Sequence, residues 1–281
     1  MNTVLDILKK SSGYFLQKGI ESPRLNAERL LCHLLACRRL DLYLNFDKPL
    51  HDAEVDKLRT WVVRRGRFEP LEYITGTCEF MDISLSVTSA VLIPRPETEL
   101  LAEAIFKRSQ ALTPSTILDL CTGSGVLAIY LKKHLPETEI TGSDISENAL
   151  QIASDNAKQN QVDVRFVRSD LFESFSNERF DVIVSNPPYV RHSELVDLQR
   201  EVRDYEPHLA LDGGVEGLDF YQRILTIAKN HLSEKGMLYF ELGEGQKENV
   251  AEMAKQAGFH LIDTIPDYAA IPRVLILQSS E

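Results

Sequence analysis

A chain of 281 residues, 43% hydrophobic and 26% charged, has material for two domains or one large one and the balance of an ordinary soluble globular protein. Its net charge of -11 weighs against a nucleic-acid ligand, because phosphates neutralised by Lys and Arg supply most of such a protein's non-specific affinity. Cys32, Cys37, Cys78 and Cys121 form no C-x-x-C pair, and the histidines no His-x-x-x-His pair, so no metal site is expected.

The opening Met1-Asn2-Thr3 has no signal-peptide pattern, and no apolar run is long enough to cross a bilayer. Reduced thiols and a cytoplasmic location are the expectation. Residues 3 to about 70 read as helical. Val4, Leu8, Phe15 and Leu16 recur at helical spacing, with Thr3 as a cap and Gly19 as a stop. Ser22-Pro23 opens a second helix carrying Leu25, Leu31, Leu34 and Leu35, and Asp52 opens another with Val55, Leu58, Trp61 and Val62. Arg64, Arg65 and Arg67 are the one tight basic cluster and read equally as a patch or a solvated helix end.

From Pro70 the pattern changes. Leu71 to Thr77 and Met81 to Val87 alternate as a pair of strands around Cys78-Glu79. The run Ile93-Pro94-Arg95-Pro96-Glu97-Thr98-Glu99 follows, unable to be helical until its prolines are passed. Domains are therefore expected at 1–70 (helical), 71–97 (β-hairpin and proline-rich linker) and 98–281. In the last, strands alternate with helical patterns, which means βαβ units and a mostly parallel sheet. Seven strands are predicted: Thr116–Leu120, Glu139–Ser143, Val164–Arg168, Phe180–Ser185, Gly236–Glu241, His260–Ile265 and Arg273–Gln278.

The chemistry concentrates at the ends of these strands. Asp119-Leu120-Cys121-Thr122-Gly123-Ser124-Gly125 is a strand running into a glycine loop and a helix, where backbone approaches a ligand closely. Asp144 closes the second strand, 19 residues after Gly125, at the spacing of a ribose-binding carboxylate. These residues alone fit a dehydrogenase and a methyltransferase equally. Ser169-Asp170-Leu171-Phe172 then ends the third strand with an acid and apolar side chains suited to adenine. Asn186-Pro187-Pro188-Tyr189 ends the fourth, where open α/β sheets place ligands. Its prolines hold the backbone extended and leave the Asn186 and Pro187 carbonyls to accept hydrogens from an NH2 group, with Tyr189 to pack on a planar neighbour. Hydride transfer has no use for such a motif.

That combination resembles the class I S-adenosylmethionine-dependent methyltransferases, in the branch whose Asn-Pro-Pro-Tyr motif methylates planar NH2 groups. Within that branch the chain resembles the bacterial peptide chain release factor glutamine methyltransferases. Ile93-Pro-Arg-Pro-Glu-Thr-Glu99, Asp119 to Gly125, Val184-Ser-Asn-Pro-Pro-Tyr189, Tyr205-Glu-Pro-His-Leu-Ala-Leu211, Gly217-Leu218, Glu241-Leu-Gly-Glu-Gly-Gln246 and Asp267-Tyr268 carry the likeness. It implies a Rossmann-like seven-stranded sheet, an N-terminal helical recognition domain, and S-adenosylmethionine as methyl donor with S-adenosylhomocysteine as product. It also implies that Cys121, Thr122, Gly123, Ser124 and Gly125 face the cofactor's methionine part, with Asp144 on its ribose and Asp170 and Leu171 at its adenine. Asn186 then touches cofactor and substrate, and Pro187, Pro188 and Tyr189 hold the target glutamine.

The implied reaction is N5-methylation of the Gly-Gly-Gln glutamine of class I release factors, which modulates translation termination. The enzyme is expected to be monomeric, with no nucleic acid or membrane partner. Two departures stand out: the family loop usually opens with glycine where this chain has Cys121, and an aromatic can stand where Leu171 is. Another acceptor, a ribosomal-protein glutamine or a nucleic-acid exocyclic amine, fits the same motif. A nicotinamide-binding oxidoreductase is the more distant alternative.

Overall fold

The computed structural model describes residues 2–279, in two compact units. The first holds the chain up to Gly76 together with Gln199–Tyr205. Its helices are α1 (Val4–Lys18), α2 (Pro23–Leu35), α3 (Arg39–Leu44), α4 (Asp52–Arg65) and α5 (Leu71–Thr75). Helix α1 starts where the Thr3 hydroxyl accepts the Asp6 amide at 3.2 Å and the Asp6 carboxylate accepts the Thr3 amide at 3.3 Å, a reciprocal cap. It ends at Gly19, whose φ of 75° a glycine adopts at no steric cost. Ser22 makes no side-chain cap, so the start of α2 rests on Pro23. Val4, Leu8, Phe15, Leu30, Leu31, Leu58 and Trp61 share one core, whereas Leu16 faces solvent.

Two of the three arginines in the basic cluster are committed to ion pairs. Arg64 holds Glu69, and the buried Arg65 binds Asn26, the Glu69 carbonyl and Glu201 at 2.6 Å. Arg200 stacks over Phe68, and the Tyr205 hydroxyl donates to the Arg67 carbonyl, tying the short helix α9 (Arg200–Tyr205) into this unit.

The second unit takes Thr77–Leu198 and the chain from Glu206 onward. The expected hairpin is shifted. Leu71–Thr75 is a turn of helix, opened by Pro70 and closed by Gly76, and the strands are β1 (Thr77–Phe80) and β2 (Ile83–Ser86). Alternation in a five-residue run does not separate strand from helix, and the flanking Pro and Gly decide it. Nor is the hairpin a linker. Phe80, Ile83 and Leu85 lie in the main core of this unit, and the buried Asn156 side chain bonds the Ser86 amide at 2.7 Å and its carbonyl at 3.1 Å.

Helix α6 (Pro96–Leu112) begins at the second proline of the run, with Glu97 and Glu99 in its first turn. There follow β3 (Thr116–Leu120), α7 (Val126–His134), β4 (Glu139–Asp144), α8 (Glu147–Gln159), β5 (Arg165–Arg168) and β6 (Phe180–Ser185). The chain then forms α10 (Asp219–His231), β7 (Leu232–Glu241), α11 (Lys247–Gln256), β8 (Phe259–Pro266) and β9 (Pro272–Ser279). The seven strands lie in the order β5-β4-β3-β6-β7-β9-β8 and pair in parallel except for β9, antiparallel to both its neighbours. This is the seven-stranded, mostly parallel sheet that the sequence leads one to expect.

Period-2 alternation sends the central strands into two cores. Ile117, Val182 and Val184 pack with α6 and α7, while Leu118, Leu120 and Ile183 pack with α10 and α11. The order of strands reverses between β3 and β6, so the two loops that leave them open onto a common crevice.

Candidate active site

The loop after β3 turns at Cys121, whose φ of 59° lies in the left-handed region that glycine occupies most readily. That conformation explains why a glycine suits this position. The thiol is no nucleophile: burial, with Asp144 nearby, pushes its pKa far above the ordinary value. At Gly125, where φ is 80°, an added Cβ would stand 3.0 Å from the Ala153 Cβ of α8 and 3.1 Å from Ile129 Cδ1. This glycine serves close packing of loop against helix. The Asp144 carboxylate accepts the Gly123 amide at 3.0 Å and the Ser146 amide at 2.9 Å. Burial raises its pKa, against the pull of those amides. The Ile145 amide also favours its charge, and part of its accepting capacity remains for a ligand's hydroxyls.

A cavity of about 300 Å³ opens over this loop. Cys121, Thr122, Gly123 and Ser124 form one wall, Asp144, Asp170 and Leu171 another, and Asn186 and Pro188 a third. Gly125, Pro187 and Tyr189 do not line it. Asp170 is held by Arg223 at 2.8 Å, and Leu171 sits at a φ of 50°. Phe172 is not available to adenine. Its ring stacks on His231 at 4.7 Å and belongs to the core under α10. Ile145, directly after Asp144 and 45% exposed, lines the cavity instead, together with Phe220.

At the end of β6, the Asn186 side chain is half-buried, and its Nδ2 donates to Thr98 Oγ1 at 3.3 Å. The Thr98 hydroxyl donates in turn to Glu241 Oε2 at 2.7 Å. Tyr189 donates its hydroxyl to the other Glu241 oxygen at 3.4 Å, and its carbonyl accepts Gln246 Nε2 at 2.9 Å. Gln246 is itself held by the Gly243 amide at 3.0 Å. Glu241 at the end of β7 and Gln246 just before α11 thus clamp the Asn186–Tyr189 segment. Among the described residues no hydrogen bond reaches the Asn186 or Pro187 carbonyl. Burial pushes the Glu241 pKa up to about 7, with Glu97 adding to the rise and the Thr98 bond opposing it.

Sequence reading passes over one further carboxylate. Asp119, 1% exposed on β3, lines the cavity and accepts the Thr122 hydroxyl on Oδ2 at 2.5 Å. Its buried Oδ1 has no hydrogen-bond partner of ordinary geometry among the described residues, while the Ala128 amide at the start of α7 favours the charge of the carboxylate. Burial pushes its pKa up to about 7 despite the Thr122 bond. An orphaned buried carboxylate oxygen beside a cavity fits a cationic ligand group.

Residues 96–214 match the Methyltransferase small domain and residues 6–76 the PrmC N-terminal domain. A release factor glutamine methyltransferase of Geobacter sulfurreducens is 43% identical, over 97% of this chain and 95% of its own length. Another, of Thermodesulfovibrio yellowstonii, is 40% identical over 91% of this chain and 92% of its own. The chain belongs to the release factor glutamine methyltransferase family.

As a member of that family it is an S-adenosylmethionine-dependent methyltransferase. Solved structures agree on the fold. A methyltransferase from Pyrococcus furiosus superposes with a TM-score of 0.54 at 20% identity, over 72% of this chain and 91% of that one. A ribosomal protein L11 methylase from Lactobacillus delbrueckii subsp. bulgaricus gives 0.53 at 20% identity, over 70% and 84%. The residues present fit the family's cofactor. Asp144 has acceptor sites left for ribose hydroxyls, and Asp119 has an unpartnered oxygen for an ammonium. Among the described residues no group of His, Cys, Asp and Glu comes together as a metal site, and no helix is long and apolar enough to cross a membrane.

Proposed function

We propose that this enzyme methylates, on N5, the glutamine of the Gly-Gly-Gln segment of class I peptide chain release factors in the cytoplasm. The observation that carries the reading is the common cavity. The carboxylates suited to ribose and ammonium share one crevice with Asn186 and Pro188 of the strand end, which supports a meeting of methyl donor and planar amide there.

In this reading Asp144 takes the ribose hydroxyls, Asp119 the ammonium of the methionine part, and Cys121 to Ser124 flank that part with backbone. Asp170, Leu171 and Ile145 border adenine. The bound cofactor supplies an electrophilic sulfonium methyl. An amide nitrogen is a poor nucleophile because its lone pair is delocalised into the carbonyl. Asn186 Oδ1 and the Pro187 carbonyl accept the two hydrogens of the glutamine NH2, which turns its lone pair toward the methyl and stabilises positive charge building on nitrogen. Pro188 and Tyr189 pack beside the amide and exclude water. No strong base is required before transfer, since the methylated nitrogen passes its proton to water as the product leaves, and among the described residues no histidine lines the cavity.

Residues 1–70 dock the release factor. The cavity is built wholly from the second unit, which leaves the helical unit free for recognition. Its apolar side chains Leu16, Leu40 and Leu44 are each more than half exposed. The test compares kcat/KM for an intact release factor with that for a short peptide bearing the same glutamine. Remote binding energy makes the peptide a far poorer substrate. Equal values refute the docking role. A preference for ribosomal proteins or nucleic acid in the same labelled-methyl assay refutes the substrate.

A further inference from the structure

We propose that Thr98 and Glu241 are positioning residues that fix which way round the Asn186 amide faces, so that its oxygen and not its NH2 is offered to the substrate. The inference rests on the reading of the site as one that methylates a glutamine amide. It concerns two residues separated by 143 positions, which the fold places side by side at the start of α6 and the end of β7.

The Asn186 amide has two nearly isosteric ends, and only the oxygen end can accept a hydrogen from a glutamine NH2. Reversed, it would set NH2 against NH2. Nothing in the shape of the amide selects the productive orientation, so a neighbour must. That neighbour is Thr98, 2% exposed, whose Oγ1 lies 3.3 Å from Asn186 Nδ2. A threonine hydroxyl carries a single hydrogen, and here it goes to Glu241 Oε2 at 2.7 Å. With that hydrogen committed, Thr98 can only accept from Asn186. The NH2 half is drawn to Thr98 and the Oδ1 half is left for the acceptor site.

The polarity of the chain originates at Glu241, 1% exposed, which receives hydroxyl hydrogens on both oxygens, from Thr98 and from Tyr189. Only the ionised carboxylate accepts on both sides. The groups that face it are Thr98 and Glu97 on α6, Tyr189 after β6 and Arg273 on β9. Glu97 disfavours its charge, while Thr98, Tyr189 and Arg273 favour it. If Glu241 takes up a proton, it donates to one hydroxyl. When that one is Thr98, the threonine hydrogen is released toward Asn186 and the amide turns over. The same carboxylate therefore sets the acceptor end of the motif at Asn186 and the aromatic end at Tyr189.

The test uses the full chain with saturating S-adenosylmethionine and an intact release factor. Thr98→Val, which keeps the volume but has no oxygen to accept the NH2, should lower kcat by about tenfold, the scale of one buried hydrogen bond. KM for the factor and the affinity for S-adenosylhomocysteine should stay within about twofold. Thr98→Ser restores the hydroxyl and recovers most of the rate. Because Thr98 acts through Asn186, the double variant T98V/N186A should be no slower than N186A alone. In the wild type kcat falls as Glu241 is protonated on acidification, and T98V keeps only the part of that dependence that runs through Tyr189. A wild-type kcat in T98V, a double variant slower than N186A by the full T98V factor, or a rate loss matched by lost S-adenosylhomocysteine affinity overturns the proposal. If the wild type transfers no methyl to a release factor, the substrate reading has failed on its own. The Asn186 side-chain NH2 resonances in the S-adenosylhomocysteine complex then decide the matter. A shift in T98V that T98S reverses supports the fixed amide, and identical signals in all three proteins overturn it.

Discussion

Replacing Asp119 by Asn removes a charge from a fully enclosed position while keeping its shape, and two measurable quantities should respond in different ways. The first is cofactor affinity. A carboxylate bonded to an ammonium contributes about 1.5–3 kcal/mol, so loss of its charge should raise the Kd for S-adenosylhomocysteine by about ten- to a hundredfold at pH 8. The second is pH dependence. Burial pushes the Asp119 pKa up from 3.8 to about 7. A raised folded-state pKa means that the associated stability is complete below the unfolded value and is lost as pH rises through about 7.

The ligand-free wild type should therefore lose stability relative to D119N as pH is raised from 5 to 8, by on the order of a few kcal/mol. Binding of an ammonium requires the ionised carboxylate, so wild-type affinity should climb by as much as about tenfold per pH unit below 7. D119N lacks that climb. Titration calorimetry with S-adenosylhomocysteine across this range reads the affinities, and thermal melts read the stabilities. Methylthioadenosine, which lacks the amino-acid part, is the control and should bind both proteins alike. A Kd within twofold of wild type at pH 8, with parallel pH profiles, would refute the assignment of Asp119 to the ammonium.

Asn186→Ala should leave S-adenosylhomocysteine binding intact and cut turnover by about two to three orders of magnitude, as for loss of one preorganised contact to developing charge. Near-normal turnover removes Asn186 from the mechanism. Asp144→Ala should act on the other side of the cavity, weakening cofactor binding by about 1.5–3 kcal/mol per lost hydroxyl contact; unchanged calorimetric affinity contradicts a ribose role. Gly125→Ala forces a methyl to within 3.0 Å of Ala153 in a backbone at a φ of 80°. It should destabilise the fold by about 2–4 kcal/mol, seen as a lowered Tm, and a melt identical to wild type would show that loop and α8 yield freely.

The sheet was legible because its strands carry their burial in their own pattern. Val182-Ile183-Val184 feeds two cores from three successive residues, and Thr116–Leu120 and Phe180–Ser185 sit where their sequence puts them. The loop motifs were legible too, since glycine spacing, Asp144 and Asn-Pro-Pro-Tyr are local in the chain. Leu71–Thr75 was not, because an alternating five-residue run carries no period long enough to tell strand from helix. Phe172 was misjudged because position after a strand does not say which way a ring turns, and here it turns to His231. Asp119 reads as part of the glycine loop, and only burial reveals its orphaned oxygen. The link from Asn186 through Thr98 to Glu241 joins a helix start, a loop and a strand end, and no spacing rule connects three such places.

The claim on which the rest depends is that the transferred methyl lands on one glutamine side chain. An intact class I release factor, incubated with the enzyme and S-adenosylmethionine and then mapped by tandem mass spectrometry, tests it directly. The account predicts the mass of a single added methyl, localised to the glutamine of Gly-Gly-Gln and released as methylamine on acid hydrolysis. A methyl on any other residue, or an unmodified factor alongside a labelled ribosomal protein or nucleic acid, would contradict it.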